Sequence, residues 1–219
     1  MADCSDAVVP PVFPPEFAER FRDLVLWRRD VRRFRTDALP EGAVERLIEL
    51  ACCAPSVGNC QPWRFVFVET VECRDVVKAA FERANERALD GYEGERHALY
   101  ASLKLEGIDR APVQLAVFAD EATNRGAGLG RQTMPETLHY SVVGAVHTLW
   151  LAARAEGIGV GWVSILDPKD VARALDVPET WKLVAYLCLG WPVEEHLDPE
   201  LERAGWERRA AAAGLVVRR

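Results

Sequence analysis

The sequence has none of the residue patterns that hold a metal ion. Its six cysteines form no CxxC pair, and His139 and His147 lie eight residues apart, which is not the i, i+4 spacing of a helical zinc site. Isolated cysteines in a chain with a large apolar content are expected to be free thiols in or near the core. The sequence therefore predicts neither a metal centre nor a disulfide framework.

Long apolar runs and a targeting signal are also missing. No stretch reaches the roughly 18 apolar residues that a membrane span requires. Residues 1–17 contain four prolines and several acidic residues, whereas a secretion signal needs a basic start and an apolar centre. We therefore expect a cytoplasmic protein whose residues 1–14 form a flexible N-terminal arm.

Basic residues are fewer than acidic ones. Lysine and arginine total 27 against 34 aspartates and glutamates, which gives a net charge of −7. A nucleic-acid binder with a basic surface is therefore not expected. Hydrophobic residues make up 49% and charged residues 28% of the chain, which is typical of a globular protein with a sizeable core.

One segment departs from this acidic balance. Arg28-Arg29-Asp30-Val31-Arg32-Arg33 places one carboxylate among four guanidinium groups. Arginine forks bind phosphate or carboxylate oxygens two at a time and stay charged at any working pH. The segment therefore predicts an anchor for a small anionic ligand with a positioned acid beside it, although a solvated charged turn after a helix has the same composition.

The hydrophobic periodicity predicts interleaved helices and strands, with helix in excess. Segments with a helical pattern are 15–29, 41–53, 73–107 (interrupted near residue 91) and 137–156. Segments with a strand pattern are 64–69, 113–119 and 182–189. The first strand is apolar on both faces, which favours a central position in the sheet.

The glycine-rich segment at 124–130 does not indicate a dinucleotide site. Its sequence, NRGAGLG, lacks the G-x-G-x-x-G spacing and does not lie between a strand and a helix. We interpret it as a flexible loop, and the pattern excludes a Rossmann fold on this ground.

Several short motifs together resemble those of the nitroreductase-like flavoproteins. They are RRDVR at 28–32, APSVGN at 54–59 followed by QPW, LGRQTMPE at 129–136, GVGWVS at 159–164 and GW at 205–206. The aspartate of the first motif, the third motif and the WVS of the fourth are similar to the branch that makes 5,6-dimethylbenzimidazole. The resemblance covers residues from about 15 to 209.

The resemblance implies an α+β fold with a central, mostly antiparallel sheet flanked by helices. It also implies an intertwined homodimer with a site at each subunit boundary. The nitroreductase-like domain would span 15–209, between the arm at 1–14 and a tail at 210–219. The apolar residues 214–217 of that tail could pair with a neighbouring subunit's strand edge.

The same resemblance implies an oxidoreductase that consumes its flavin. Reduced FMN would be the substrate and O2 the co-substrate. The products would be dimethylbenzimidazole, the lower ligand of vitamin B12, and erythrose 4-phosphate. A separate flavin reductase would supply the reduced FMN. Two other functions stay open, namely an NAD(P)H-dependent nitroreductase that recycles its FMN and a non-catalytic FMN-binding dimer.

The resemblance also implies the residues of the site. Asp30 and Ser164 would be catalytic. The implied FMN contacts are Arg28, Arg29, Asp30, Val31, Arg32, Ser56, Tyr100, Leu103, Val163, Ser164 and Arg208. A positioned acid contributes a factor of about 10²–10⁴ to a rate, but Asp30 could also serve only to neutralise its arginine neighbours. Arg203 and Arg209 compete with Arg208 for the phosphate.

The remaining candidates each have a structural alternative. Ser56 offers a hydroxyl to the flavin or merely to its own turn. The glycines of 159–161 would let the backbone approach a flat ligand before Ser164. The charged segment 90–107, with Lys104, is interpreted either as a lid that excludes water or as a solvated surface helix.

Overall fold

The computed structural model describes residues 9–103 and 107–219. Its α-helices are α1 (Pro15–Trp27), α2 (Ala43–Ala51), α3 (Val71–Leu89), α4 (Gly94–Ser102), α5 (Gly107–Arg110), α6 (Thr137–Ala155), α7 (Pro168–Ala174) and α8 (Glu200–Arg203). Its strands are β1 (Trp63–Phe67), β2 (Val113–Asp120), β3 (Gly159–Val163) and β4 (Trp181–Gly190). No helix in this part of the chain is long and apolar enough to cross a membrane.

The strands form one antiparallel sheet in the order β1-β2-β4-β3. The predicted α+β fold with a mostly antiparallel sheet is therefore confirmed. The central position that we predicted for the strand at 64–69 is wrong, because β1 pairs only with β2 among the described strands.

The physical reason for this error lies in how the sheet is covered. Side chains alternate along β2, so that Leu115 and Val117 point into one buried cluster while Ala116 and Phe118 point into the other. The same holds for β1, where Phe65 packs on the first cluster and Val66 on the second. A strand whose two faces are both covered is apolar throughout, wherever it lies in the sheet.

Helix α6 is the main element of the first cluster. Ala145, Val146 and Leu149 are fully buried, and α2 packs beside α6 on this face of the sheet. The predicted helix at 137–156 is confirmed, and Gly157 follows it with a φ of +75°, a left-handed conformation typical of a residue that ends a helix. On the opposite face, α3 and α7 pack together and contribute Val77 and Val171 to the second cluster.

The glycine-rich segment near residue 127 is not a free loop. Arg125–Gly128 forms a 3-10 turn that packs against a second 3-10 turn at Val57–Asn59. A Cβ on Gly58 would lie 2.9 Å from the Leu129 carbonyl oxygen, too close for any side chain. The glycines therefore allow two backbone segments to pack closely. From the sequence alone, this role could not be distinguished from that of glycines in a flexible loop.

Apolar side chains remain exposed on α1 and near it. Phe13, Phe17 and Phe21 stack on one another, and each keeps about half or more of its surface exposed. Val143 and Tyr140 are similarly exposed on α6. Exposed apolar side chains in groups of this kind usually mark an interface with another protein chain.

Candidate functional site

The arginine segment follows α1 and runs along the free edge of β3. Asp30 forms a parallel bridge with Val160, and the Val31 N–H donates to the Val160 carbonyl oxygen at 3.0 Å. Three residues after Val31, Phe34 pairs with Pro192 in an antiparallel bridge. The segment is therefore held by the sheet and does not form a loose charged turn.

Two glycines make this close approach possible. A Cβ on Gly159 would lie 2.9 Å from the Val31 side chain, and a Cβ on Gly161 would overlap the Val31 carbonyl oxygen. We expected these glycines to admit a flat ligand. In the structure they admit the backbone that carries Asp30, because β3 and the arginine segment lie too close together for a side chain between them.

Asp30 is oriented by the backbone of β3. Its Oδ1 accepts a hydrogen bond from the Trp162 N–H at 2.8 Å, and its Oδ2 lies 3.7 Å from Arg32 Nε. The side chain lies low in a cleft, with 40% of its surface open on the cleft side. Burial among protein atoms raises the pKa of this carboxyl, and the Trp162 hydrogen bond and the nearby arginines only partly oppose that effect.

Arg28 and Arg32 face the same cleft. The Arg28 guanidinium lies 4.7 Å from the centre of the Trp150 ring, and burial lowers its pKa. Arg32 keeps only 10% of its side chain exposed, and its buried Nε has no hydrogen-bond partner among the described residues. An unsatisfied buried N–H is costly, so this atom indicates a place where a ligand oxygen or water would bind.

Arg29 and Arg33 are used differently. The Arg29 guanidinium donates to the carbonyl oxygens of Leu197 at 2.8 Å and of Arg28 at 2.5 Å, and also to that of Leu26. Arg33 pairs with Glu194 and reaches Glu200 at 3.4 Å. Arg29 and Arg33 therefore hold the surrounding loops, although Arg29 also lines the cleft.

The segment after α8 brings Arg209 to the cleft, whereas the resemblance implied Arg208. Arg209 lines the cleft with Arg28, and its charge lowers the Arg28 pKa further. Arg208 is exposed, and its backbone N–H donates to the Glu207 carboxylate at 3.0 Å. Arg203 lies at the cleft rim but is paired with Asp198 at 3.1 Å. The assignment of Arg208 stays a prediction, with Arg209 favoured by position.

Val163 lies beside Asp30, and Ser164 is the next residue in the chain. Val163 lines a small cavity next to Asp30 and Arg32, whose other wall includes Cys188. Burial raises the pKa of the Cys188 thiol to about 12, so it stays protonated. Ser164 follows the end of β3, two residues after the Trp162 N–H that donates to Asp30, and is exposed. The catalytic roles of Asp30 and Ser164 stay predictions.

Ser56 is not near the arginine segment of the same chain. Its Oγ accepts from the Gln61 N–H at 3.0 Å, and the next residue, Val57, donates to Ser141 Oγ at 3.1 Å near the start of α6. The arginine segment contacts α6 nine residues later, where Trp150 Nε1 donates to the Arg29 carbonyl at 3.2 Å. Those positions are about 13 Å apart along the helix axis.

The lid candidates contact the tail. Tyr100 on α4 stacks with Tyr92 at 5.0 Å and donates to Asn85 at 2.9 Å, while Trp206 packs on both tyrosines. Arg96 on α4 also lies 4.8 Å from the Trp206 ring. Leu103 is half-buried at the end of α4. Lys104 and part of the segment 90–107 lie outside the described residues, as do residues 1–8 of the predicted arm.

Sequence reasoning missed three residues of the cleft. Trp150 and Glu200 were not assigned to the site, and Arg209 was named only as a competitor. Each is at least 120 residues from Asp30 in the chain. The sequence gives no sign that they belong to a site. One is an aromatic residue in an apolar helix, and the other two are charged residues among many in the C-terminal part of the chain.

The chain is similar to the nitroreductase family, whose model matches residues 25–191. It is 59% identical over 199 residues to a 5,6-dimethylbenzimidazole synthase of Rhodospirillum rubrum, covering 91% of this chain and 94% of the relative. It is 48% identical to a protein of the same name from Rhodobacter capsulatus, over 89% of this chain and 94% of that one.

A solved structure supports the same relationship. It is that of oxidized iodotyrosine deiodinase bound to FMN and 3-iodo-L-tyrosine. The two chains superimpose with a TM-score of 0.69 at 25% identity, over 80% of this chain and 91% of the other. That structure contains bound FMN.

Proposed function

The chain belongs to the nitroreductase family, and from this premise we propose that it is a 5,6-dimethylbenzimidazole synthase acting on reduced FMN with O2. One observation carries the proposal beyond the family. An aspartate is locked to a backbone N–H at 2.8 Å in the middle of an arginine cluster. A flavoprotein that only recycled its cofactor would need the arginines but would have no evident use for a carboxylate beside them.

The described residues fit FMN. Arg28, Arg32 and Arg209 face one cleft and provide guanidinium donors for a phosphate or for the polar edge of the ring. The buried Arg32 Nε lacks a partner among the described residues, and a flavin or ribityl oxygen would satisfy it. Val31, Val163 and Ser164 line or adjoin the apolar side of this region. These residues would hold the flavin, with Ser56 and Arg208 as further contacts.

Reduced FMN, when bound, supplies the electrons for O2 and is itself the molecule that is taken apart. The chain contributes a proton carrier and its orientation. Asp30 Oδ1 is occupied by the Trp162 N–H, so Oδ2 is the atom that can take up or release a proton. The raised pKa of the carboxyl brings that exchange closer to neutral pH. Ser164, two residues after Trp162 in the chain, offers a hydroxyl as the second polar group of the proposed reaction.

We also propose that the enzyme is an intertwined homodimer. Ser56 and the arginine segment lie about 13 Å apart along α6, so two chains bring them to one site more readily than one. The exposed apolar residues of α1 and α6 provide the interface. The lone edge of β1 provides a pairing site for residues 214–217 of the partner subunit.

Two further parts of the proposal concern the cell. The reaction consumes its flavin, so a separate flavin reductase must deliver reduced FMN. Such a reductase and its nicotinamide donor place the enzyme in the cytoplasm.

The test uses chemically reduced FMN and air without nicotinamide. We expect dimethylbenzimidazole, identified by mass spectrometry, in proportion to the FMN lost. Steady reduction of nitroaromatics by NADPH with intact FMN would instead assign the chain to the recycling nitroreductases. Flavin binding without turnover would leave only a binding protein.

A second test concerns Ser164. In Ser164→Gly we expect the product yield to fall more than the affinity for FMN, because the hydroxyl lies beside the reacting region and not at the phosphate. An unchanged yield would remove Ser164 from the mechanism. Ser164→Thr, which keeps a hydroxyl at this position, is the matched control and should retain most of the yield.

A further inference from the structure

A second carboxylate stands in the arginine cleft, and the proposed reaction has given it no role. Glu200 is the first residue of α8 and lines the cleft together with Arg28, Arg32 and Arg209. Its side chain is only 21% exposed. A negative charge in a site that binds an anionic ligand weakens that binding, so its presence calls for another explanation.

The geometry of Arg32 supplies one. Arg32 Nε lies 3.7 Å from Asp30 Oδ2 on one side and 4.0 Å from Glu200 Oε2 on the other. Both distances exceed a hydrogen bond, and the Nε donor is unsatisfied. The guanidinium is therefore shared between two carboxylates and is bonded to neither through this atom.

Glu200 itself is held in place. Its Oε1 lies 3.4 Å from Arg33 Nη1, and Arg33 is in turn paired with Glu194. Glu194 is further bonded to His196 at 3.1 Å. These contacts hold Oε1 of Glu200 at Arg33 while its Oε2 stays 4.0 Å from Arg32 Nε.

We propose that Glu200 is a positioning residue. Its carboxylate restrains the Arg32 guanidinium from closing a direct ion pair with Asp30, so that Asp30 remains able to exchange a proton and Arg32 Nε remains available to the ligand. The catalytic role of this arrangement rests on the proposed function. The effect of Glu200 on the charge of Asp30 does not depend on that function.

The charges around Asp30 agree with this role. The groups whose charges act on Asp30 are Arg28 and Arg32 of its own segment, which lower its pKa, and Glu200 of α8, which raises it in the same direction as burial. Cys188 of β4 is neutral, and Arg209 lines the same cleft. Three further acids line the cleft, and each is paired with an arginine: Glu194, Glu195 and Asp198.

The decisive experiment titrates the Asp30 carboxyl directly. The side-chain carboxyl carbons of aspartate are labelled with carbon-13, and the Asp30 signal is identified by its loss in Asp30→Asn. In the flavin-free protein, Glu200→Gln removes the charge and releases Arg32 toward Asp30. Both changes favour the ionised form, so the midpoint should move to lower pH.

Two matched variants separate this effect from a loss of structure. Glu202→Gln removes the same charge from the same short helix, but Glu202 does not line the cleft, and its Asp30 midpoint should equal that of the unmodified protein. Glu200→Asp keeps the charge and should retain most of the original midpoint. An unchanged midpoint in Glu200→Gln, or an equal shift in Glu202→Gln, would overturn the proposal.

The reaction provides a second, independent readout. The rate of product formation is measured against pH, and the part of this profile that follows the ionisation of Asp30 should shift to lower pH in Glu200→Gln, as the carbon signal does. The FMN dissociation constant should change by less than about tenfold. If the protein made no dimethylbenzimidazole under any condition, the proposed function would fail, and the titration of the flavin-free protein would still decide the role of Glu200.

Discussion

The two edges of the sheet are closed in different ways. The β3 edge is covered by the chain's own segment 28–34, which pairs with Val160 and carries Asp30. The β1 edge meets no further strand within the described residues. The chemistry that we propose therefore lies where the chain completes its own sheet, and the opposite edge is the one that we propose for assembly.

This difference shows how the acid gains its precision. Asp30 receives its position from the backbone of β3 and not from side-chain packing, so it moves only if the edge pairing changes. At the β1 edge, nothing in the same chain fixes a partner's position. We expect changes at the first edge to affect catalysis and changes at the second to affect association.

The largest expected effect comes from removing the acid at the closed edge. In Asp30→Asn the amide oxygen can still accept from the Trp162 N–H, so the segment should keep its place and FMN should still bind. Product formation should fall by about 10²–10⁴, the contribution of a positioned acid or base. Binding is measured by flavin fluorescence and product by chromatography; full activity would show that Asp30 only neutralises the arginines.

The next effect comes from opening the closed edge. In Gly161→Ala a Cβ would collide with the Val31 carbonyl oxygen, so the segment and β3 must separate. We expect a loss of about 1–3 kcal/mol in unfolding free energy, as for other overpacked sites, together with lower activity. Urea denaturation measures the unfolding free energy.

Its matched control is Gly214→Ala, where a Cβ meets no atom within 4 Å and φ is not in the left-handed region. Equal destabilisation in both variants would mean that alanine at any glycine is harmful here. The close approach of Val31 to Gly161 would then explain nothing.

A smaller effect is expected at the open edge. Replacing Leu215, Val216 and Val217 by serine should weaken the dimer without moving Asp30, because these residues are exposed in the chain and available to a partner. Light scattering over a concentration series measures the association. The control replaces Arg218 and Arg219 by serine instead. An unchanged dimer dissociation constant in the variant with serine at 215–217 would contradict pairing at β1.

The smallest effect is on stability as a function of pH. Burial raises the pKa of Asp30 above its ordinary 3.8, so the folded chain holds this proton more tightly than the unfolded chain does. The resulting stabilisation is complete below pH 3.8 and is lost as the pH rises through the folded-state pKa. The difference in unfolding free energy between the unmodified protein and Asp30→Asn should therefore fall over that range, and a flat difference would contradict the raised pKa.

Local patterns predicted most of the fold. The helix at 137–156 was predicted within one residue of its observed end, because its apolar residues and the following glycine are both local signals. The strand at 64–69 was found but placed wrongly, because an apolar strand reveals that both faces are covered and not which neighbours it has. The turn at Arg125–Gly128 was read as flexible, since its partner at Val57–Asn59 is distant in the chain.

The sequence by itself determined the chemistry that is available: an acid among arginines, followed far along the chain by glycines that allow close packing. Only the tertiary structure decided how that chemistry is divided. It placed Arg28 and Arg32 in the cleft, tied the guanidinium groups of Arg29 and Arg33 to the surrounding loops, and brought Glu200 and Arg209 to that cleft. Electrostatic effects act over a few ångströms in space, and residues about 170 positions apart come within that range only through folding.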